Sequence, residues 1–197
     1  MLLYNMSVNL YDTLKSSYGD KKARQQLANA GYKYDSMLSN HNQQVWYNPN
    51  DKKLLYNIAG THNIKDWGTD LYLGVGKLKD TNRYKEAKQT LDNAKLKYGN
   101  DITTNITGSS LGGAIAQYVG NKNDKVFTLN KGATIGQKTR GNETAFRTSG
   151  DAVSVLNSGS KRMITLENRN RATGFLPLDA LKAHNVENIR KEGIQIT

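Results

Sequence analysis

The chain has 197 residues, no cysteine, and a formal charge of +11 from 28 Lys and Arg against 17 Asp and Glu. Missing thiols exclude disulfides, thiolate zinc sites and a cysteine nucleophile, and no run reaches the roughly 18 apolar residues of a membrane-spanning helix. The excess charge draws a protein toward anionic surfaces, but there is no specific nucleic-acid reader: no zinc finger, no basic helix with base-contacting spacing, no aromatic RNP strand.

The first residues, "MLLYNMSVNLYD", are too short and polar a run for a signal peptide. Leu10, Leu14 and Tyr18 fall at helical spacing, as do Ala23, Leu27 and Ala30 before Gly31. In "QVWYNPNDKKLLYNIAGT" the turn 48–51 joins strand-like runs over 44–48 and 53–59, which predicts a hairpin. Tyr84, Ala87, Leu91, Ala94 and Tyr98 mark one face of a long helix that Gly99 closes. Strands follow at "KVFTLN", "AFRTS" and "RMITLE", then a helix from about 178 to 191. No repeat, low-complexity tract or Pro-rich linker divides the chain, so one domain over 1–197 is expected. Strands alternating with helices predict an α/β three-layer fold with a central, mostly parallel sheet.

The middle of the chain, "NITGSSLGGAIAQY" (105–118), changes from a β-branched strand to an Ala-rich helix through Gly108-Ser109-Ser110-Leu111-Gly112. This is G-x-S-x-G in a strand-turn-helix setting, where a sharp turn exposes the central serine and glycines are needed because a Cβ would strike neighbouring backbone. Ser110 is therefore the candidate nucleophile. The Leu111 N–H, in the first turn of the helix, is a candidate oxyanion donor.

A serine hydroxyl needs a base, and the base an orienting carboxylate. Of the three histidines, His41 and His62 precede the serine and His184 follows it, so the order nucleophile, acid, base selects His184. Among the intervening acids Asp124 comes too early, Asp179 reads as a helix-start residue, and Glu143 and Glu167 sit at strand flanks. Asp151 is best placed, because "AFRTSGDAVSVL" ends a strand in Ser-Gly-Asp. The second oxyanion donor is expected after an earlier strand, where "NIAGTHNIKDWGTDLYL" offers Gly60 for close approach and Thr61 as donor. Ile64 and Trp67, among polar neighbours, suit an amphipathic flap over the serine.

"AGTHNIKDWGTDL", "ITGSSLGGAIAQ", "TSGDAVSVL" and "LKAHNVENI" together resemble four consecutive signature blocks of the class 3, fungal-lipase-like branch of the α/β-hydrolases, across roughly 32–190. The resemblance implies a minimal α/β-hydrolase fold with a short lid at 62–70, an oxyanion residue at Thr61, and a triad of Ser110, Asp151 and His184. It implies hydrolysis of carboxylic esters of lipids, a lipase or esterase reaction, with no metal or cofactor. Three positions depart from the family pattern: Ser109 stands where His usually precedes the nucleophile, Ser154 lies where Pro commonly follows the acid, and Gly68 makes the lid less hydrophobic.

The basic charge and small lid favour a phospholipase A1-type variant of this activity, with transient contact to an anionic membrane surface. A catalytically silent α/β-hydrolase serving as a structural or binding module is the alternative from another class. Composition fits a soluble protein in a reducing compartment, cytoplasm or viral particle, although an AT-rich genome explains the same Asn, Lys and Tyr content.

Overall fold

A computed structural model describes residues 8–61, 77–99, 101–132, 139–151, 163–167, 183–189 and 194–196. The chain begins with two short helices, α1 (Leu10–Ser17) and α2 (Lys21–Asn29). Each has a side-chain cap: Asn9 Oδ1 accepts from the Asp12 N–H at 2.8 Å, and Asp20 Oδ1 from the Ala23 N–H at 2.9 Å. Such caps satisfy amide groups that have no acceptor within the helix.

Strand β1 (Lys33–Asp35) pairs with β2 (Gln43–Asn48), which pairs in turn with β3 (Lys53–Ile58), both antiparallel. The predicted hairpin is thus present, and Asn48 Oδ1 closes its turn by accepting from the N–H groups of Asn50 and Asp51. Helix α3 (Asn82–Tyr98) buries Ala87, Leu91 and Ala94 and stops at Gly99, whose φ of 94° suits glycine. After it come β4 (Thr103–Ser109), α4 (Ser110–Val119), β5 (Lys125–Leu129), β6 (Glu143–Thr148) and β7 (Met163–Leu166).

The seven strands among the described residues lie side by side in chain order, and from β3 to β7 every pairing is parallel. Successive right-handed crossovers in one direction place their helices on a single face of the sheet. Accordingly α3 and α4 share one apolar cluster with Val45, Leu54, Tyr56, Ile58, Ile106 and Val126. The opposite face needs another cover. There Leu10, Leu14 and Leu27 of α1 and α2, with Val186, Ile189 and Ile196 near the C-terminus, pack on Trp46, Leu55, Leu129 and Phe146. The result is the expected three-layer α/β architecture.

Two local readings need correction. Strand β1 lies where no strand was expected. The helix expected from about 178 to 191 is not continuous through its described part: Asn185 is extended, with ψ of 140°, and a 3₁₀ turn follows at Val186–Asn188. The Asn185 side chain accepts from the Glu187 N–H at 3.1 Å, a local bond that competes with helix. Asn105, in an Asn-Ile-Thr sequon, has no exposed surface, so a glycan has no room there.

Candidate active site

The sheet delivers β4 directly into α4. Ser109 is still extended, with φ of −120° and ψ of 152°, while Ser110 has φ of 54°. A left-handed non-glycine residue costs about 1–2 kcal/mol, so the surrounding packing must hold it there. The glycines show how. A Cβ on Gly108 would lie 2.3 Å from the Gly112 carbonyl oxygen, and one on Gly112 would lie 2.2 Å from that of Ile58. Both obstacles are backbone, so strand, turn and helix fit together only without those two side chains.

The loop after β3 runs against this elbow. A Cβ on Gly60 would stand 2.9 Å from the Ser109 carbonyl oxygen and 3.0 Å from Ser110 Cβ. Its N–H donates to Tyr18 Oη at 2.9 Å, and Tyr18 Oη lies 2.9 Å from Ser109 Oγ. From behind, Arg83 Nη2 donates to the Ala59 carbonyl at 2.8 Å. Thr61 follows immediately, and its Oγ1 is buried without a hydrogen-bond partner among the described residues. Leu111 occupies the first turn of α4, where backbone N–H groups have no acceptor within the helix. Leu111 follows Ser110 in the chain, and Thr61 follows Gly60, which packs against Ser110. Ile64 and Trp67 lie outside the described residues.

Asp151 comes just beyond the end of β6, after Gly150 with φ of 82°. Its Oδ1 is 2.8 Å from His184 Nδ1, across 33 residues of chain. The carboxylate side chain is fully buried and the imidazole 11% exposed. With the proton on Nδ1 donated to that carboxylate, Nε2 carries the lone pair that can accept a proton. The other weighed acids that are described have different engagements. Asp124 is held by Lys95 Nζ at 2.6 Å, Glu143 by Lys131 Nζ at 2.7 Å, and Glu167 is exposed; Asp179 lies outside the described residues.

Sequence reasoning did not single out Tyr18, Arg83, Asn130 or Thr148, although each holds part of this site. Asn130 Nδ2 approaches the carbonyls of Ala183 and His184 at 3.4 and 3.3 Å, and Thr148 Oγ1 donates to Ala183 O at 2.5 Å. A positive φ of 47° at Asn130 belongs to a residue type that tolerates it, yet no motif announces the position.

No protein-family model and no curated protein sequence matches the chain. Solved structures do. The crystal structure of Lip2 lipase from Yarrowia lipolytica aligns over 84% of this chain and 79% of its own, with a TM-score of 0.58 and 16% identity. The native Rhizomucor miehei lipase propeptide complex aligns over 73% and 60%, with a TM-score of 0.48 and 17% identity. Such identity speaks to architecture, and the chain has the lipase-like α/β-hydrolase fold.

Proposed function

We propose that the chain is a serine hydrolase of carboxylic esters with lipid-like acyl groups. The observation that carries this reading is the 2.8 Å contact between His184 Nδ1 and Asp151 Oδ1 in a fold whose elbow holds Ser110 at φ of 54°. Ser110 Oγ attacks the ester carbonyl while His184 Nε2 removes its proton. Asp151 keeps the imidazole in the required tautomer and stabilises its charged form. The N–H groups of Thr61 and Leu111 take the developing oxyanion, and the Thr61 hydroxyl is available as a further donor. His184 then protonates the leaving alcohol. Water, activated by the same imidazole, releases the acyl group from Ser110.

A phospholipase A1-type specificity is the second reading, favoured by the charge of +11. It uses the same residues and differs in the headgroup accepted.

A fluorophosphonate probe tests the chemistry. Labelling confined to Ser110 and abolished by Ser110→Ala is expected, with Asp151→Asn and His184→Ala each lowering turnover by about three orders of magnitude or more. An unlabelled, folded wild-type chain would leave the architecture to a silent binding module. Short-chain esters, triglyceride and phospholipid vesicles, assayed in parallel, separate the two substrate readings.

A further inference from the structure

Immediately after β5, three residues reach toward both halves of the proposed triad. The Gly132 N–H donates to the Ser110 carbonyl at 2.9 Å. Two residues earlier, the Asn130 carboxamide faces the backbone that carries His184. Its Oδ1 accepts from the Thr148 N–H at 2.7 Å, which fixes which side of the amide is oxygen. Its Nδ2 therefore points the other way, donating to Thr148 Oγ1 at 3.0 Å and approaching the carbonyls of Ala183 and His184 at 3.4 and 3.3 Å. Thr148 Oγ1 spends its own proton on Ala183 O at 2.5 Å. Every side-chain polar atom of this pair is thereby engaged, and both residues are buried, at 0% and 1% exposure.

The turn itself has little freedom. The Asn130 N–H donates to Phe146 O at 2.9 Å. Lys131, between the two contact residues, is sealed in the interior against Glu143. Helix α4 lies directly on the turn: a Cβ on Gly113 would come within 2.9 Å of Lys131 Cβ. A rigid turn thus touches the nucleophile's carbonyl at one end and the histidine's at the other.

We propose that the turn 130–132 sets the distance between Ser110 and His184, with Asn130 as the positioning residue that holds the histidine segment. The inference rests on the reading of Ser110 and His184 as nucleophile and base. His184 stands in a turn between the helical Ala183 and the extended Asn185, so no helix continues past it to fix its direction. Hydrogen bonds to its own carbonyl and that of Ala183 supply the constraint instead. A small drift of the imidazole would leave binding intact and slow proton transfer.

Asn130→Gly is the decisive variant, because glycine adopts φ of 47° freely and so removes the carboxamide without straining the turn. The expected result is kcat lower by about ten- to a hundred-fold with KM unchanged. The low-field proton resonance of His184 Nδ1–H should broaden or disappear. Thr148→Val should act in the same direction and Thr148→Ser should restore activity. Wild-type kcat and an unchanged imidazole resonance in a folded Asn130→Gly protein would overturn the proposal while leaving the hydrolase reading intact. Conversely, a wild-type protein that fluorophosphonate does not label would remove the hydrolase reading. The resonance of Asn130→Gly, which needs no turnover, would still decide whether Asn130 holds His184.

Discussion

Tyr18 Oη lies 2.9 Å from Ser109 Oγ and accepts the Gly60 N–H at the same distance, so one phenol joins α1, the elbow and the loop that carries Thr61. Ser109 is where the lipase family usually has histidine, and here its hydroxyl is part of that junction. The two partners should not weigh equally. Tyr18→Phe strips the acceptor from the Gly60 N–H, and a buried donor left without a partner costs about 1–3 kcal/mol. Ser109→Ala leaves the Tyr18 to Gly60 bond in place, so its cost should fall near the lower end of that range with most activity retained. Urea unfolding of the two variants gives the comparison. Equal losses would mean that the bond from Gly60 to Tyr18 adds nothing beyond the contact between Tyr18 and Ser109.

The parts of this architecture visible in the sequence are those fixed by local physics. Gly108 and Gly112 are required because backbone passes within 2.3 Å of where their side chains would begin, and that requirement leaves a readable pattern. The hairpin turn is closed by Asn48 from within four residues, and α3 announces itself through Ala87, Leu91 and Ala94 on one face. Chain order picked His184 and the strand end in Ser-Gly-Asp picked Asp151, and the fold brings the two to 2.8 Å. What was illegible depends on distant partners. Tyr18 reads as one more apolar helix position until Ser109, 91 residues on, is placed beside it. Asn130 meets residues 53 and 54 positions away. The expected C-terminal helix does not continue past His184, because helical spacing in "LDALKAHNVENI" was weighed without the competing bond from the Asn185 side chain.

A buried ion pair makes the second prediction. Lys131 and Glu143 meet at 2.7 Å with side chains 1% and 0% exposed, and Thr128 Oγ1 and the Arg140 N–H also donate to Glu143. Burial lowers the Lys131 ammonium from its ordinary range, opposed by the Glu143 charge. Glu143→Gln removes that opposing charge and should cost about 3–5 kcal/mol, whereas Lys131→Met combined with Glu143→Gln should cost less than Glu143→Gln alone. The single variant should also respond to pH. Its folded state binds the Lys131 proton less tightly than the unfolded chain does, so stability should rise as pH climbs toward the normal lysine value. Denaturant midpoints for both variants across alkaline pH check the order and the sign.

Acid stability gives a third. The Asp35 carboxylate, at the end of β1, accepts from Lys97 Nζ at 2.6 Å, Tyr98 Oη at 2.7 Å and the Leu38 N–H at 3.2 Å. Burial pushes its pKa upward, but these three donors outweigh burial and hold the carboxyl below its usual value. A depressed carboxylate stabilises the fold above the unfolded value of about 3.9 and loses that contribution as pH falls through the folded value. Asp35→Asn should therefore be less stable than wild type at pH 7, and the gap should close as the medium is acidified below about pH 4. Thermal unfolding at pH 7 and at pH 3 measures it. A gap that stays constant would assign the loss to packing rather than charge.

The fourth prediction connects the charge of +11 to the substrate. An enzyme that hydrolyses lipid must first adsorb to a surface, and each basic residue near an anionic bilayer contributes about 1 kcal/mol of attraction that decays within a Debye length. Several exposed cations would therefore govern adsorption at low salt and lose their hold as salt rises. A soluble short-chain ester involves no such step, because it reaches Ser110 by diffusion as a neutral molecule. Activity on anionic vesicles should fall steeply between low and moderate salt, while activity on the soluble ester stays nearly flat. Neutral vesicles serve as the control: they present the same acyl chains without the field, so their hydrolysis should be slower at low salt and insensitive to added salt. Equal salt dependence on vesicle and soluble ester, or no preference for anionic over neutral vesicles, would detach the charge from substrate access and return it to the Asn-, Lys- and Tyr-rich composition of the chain.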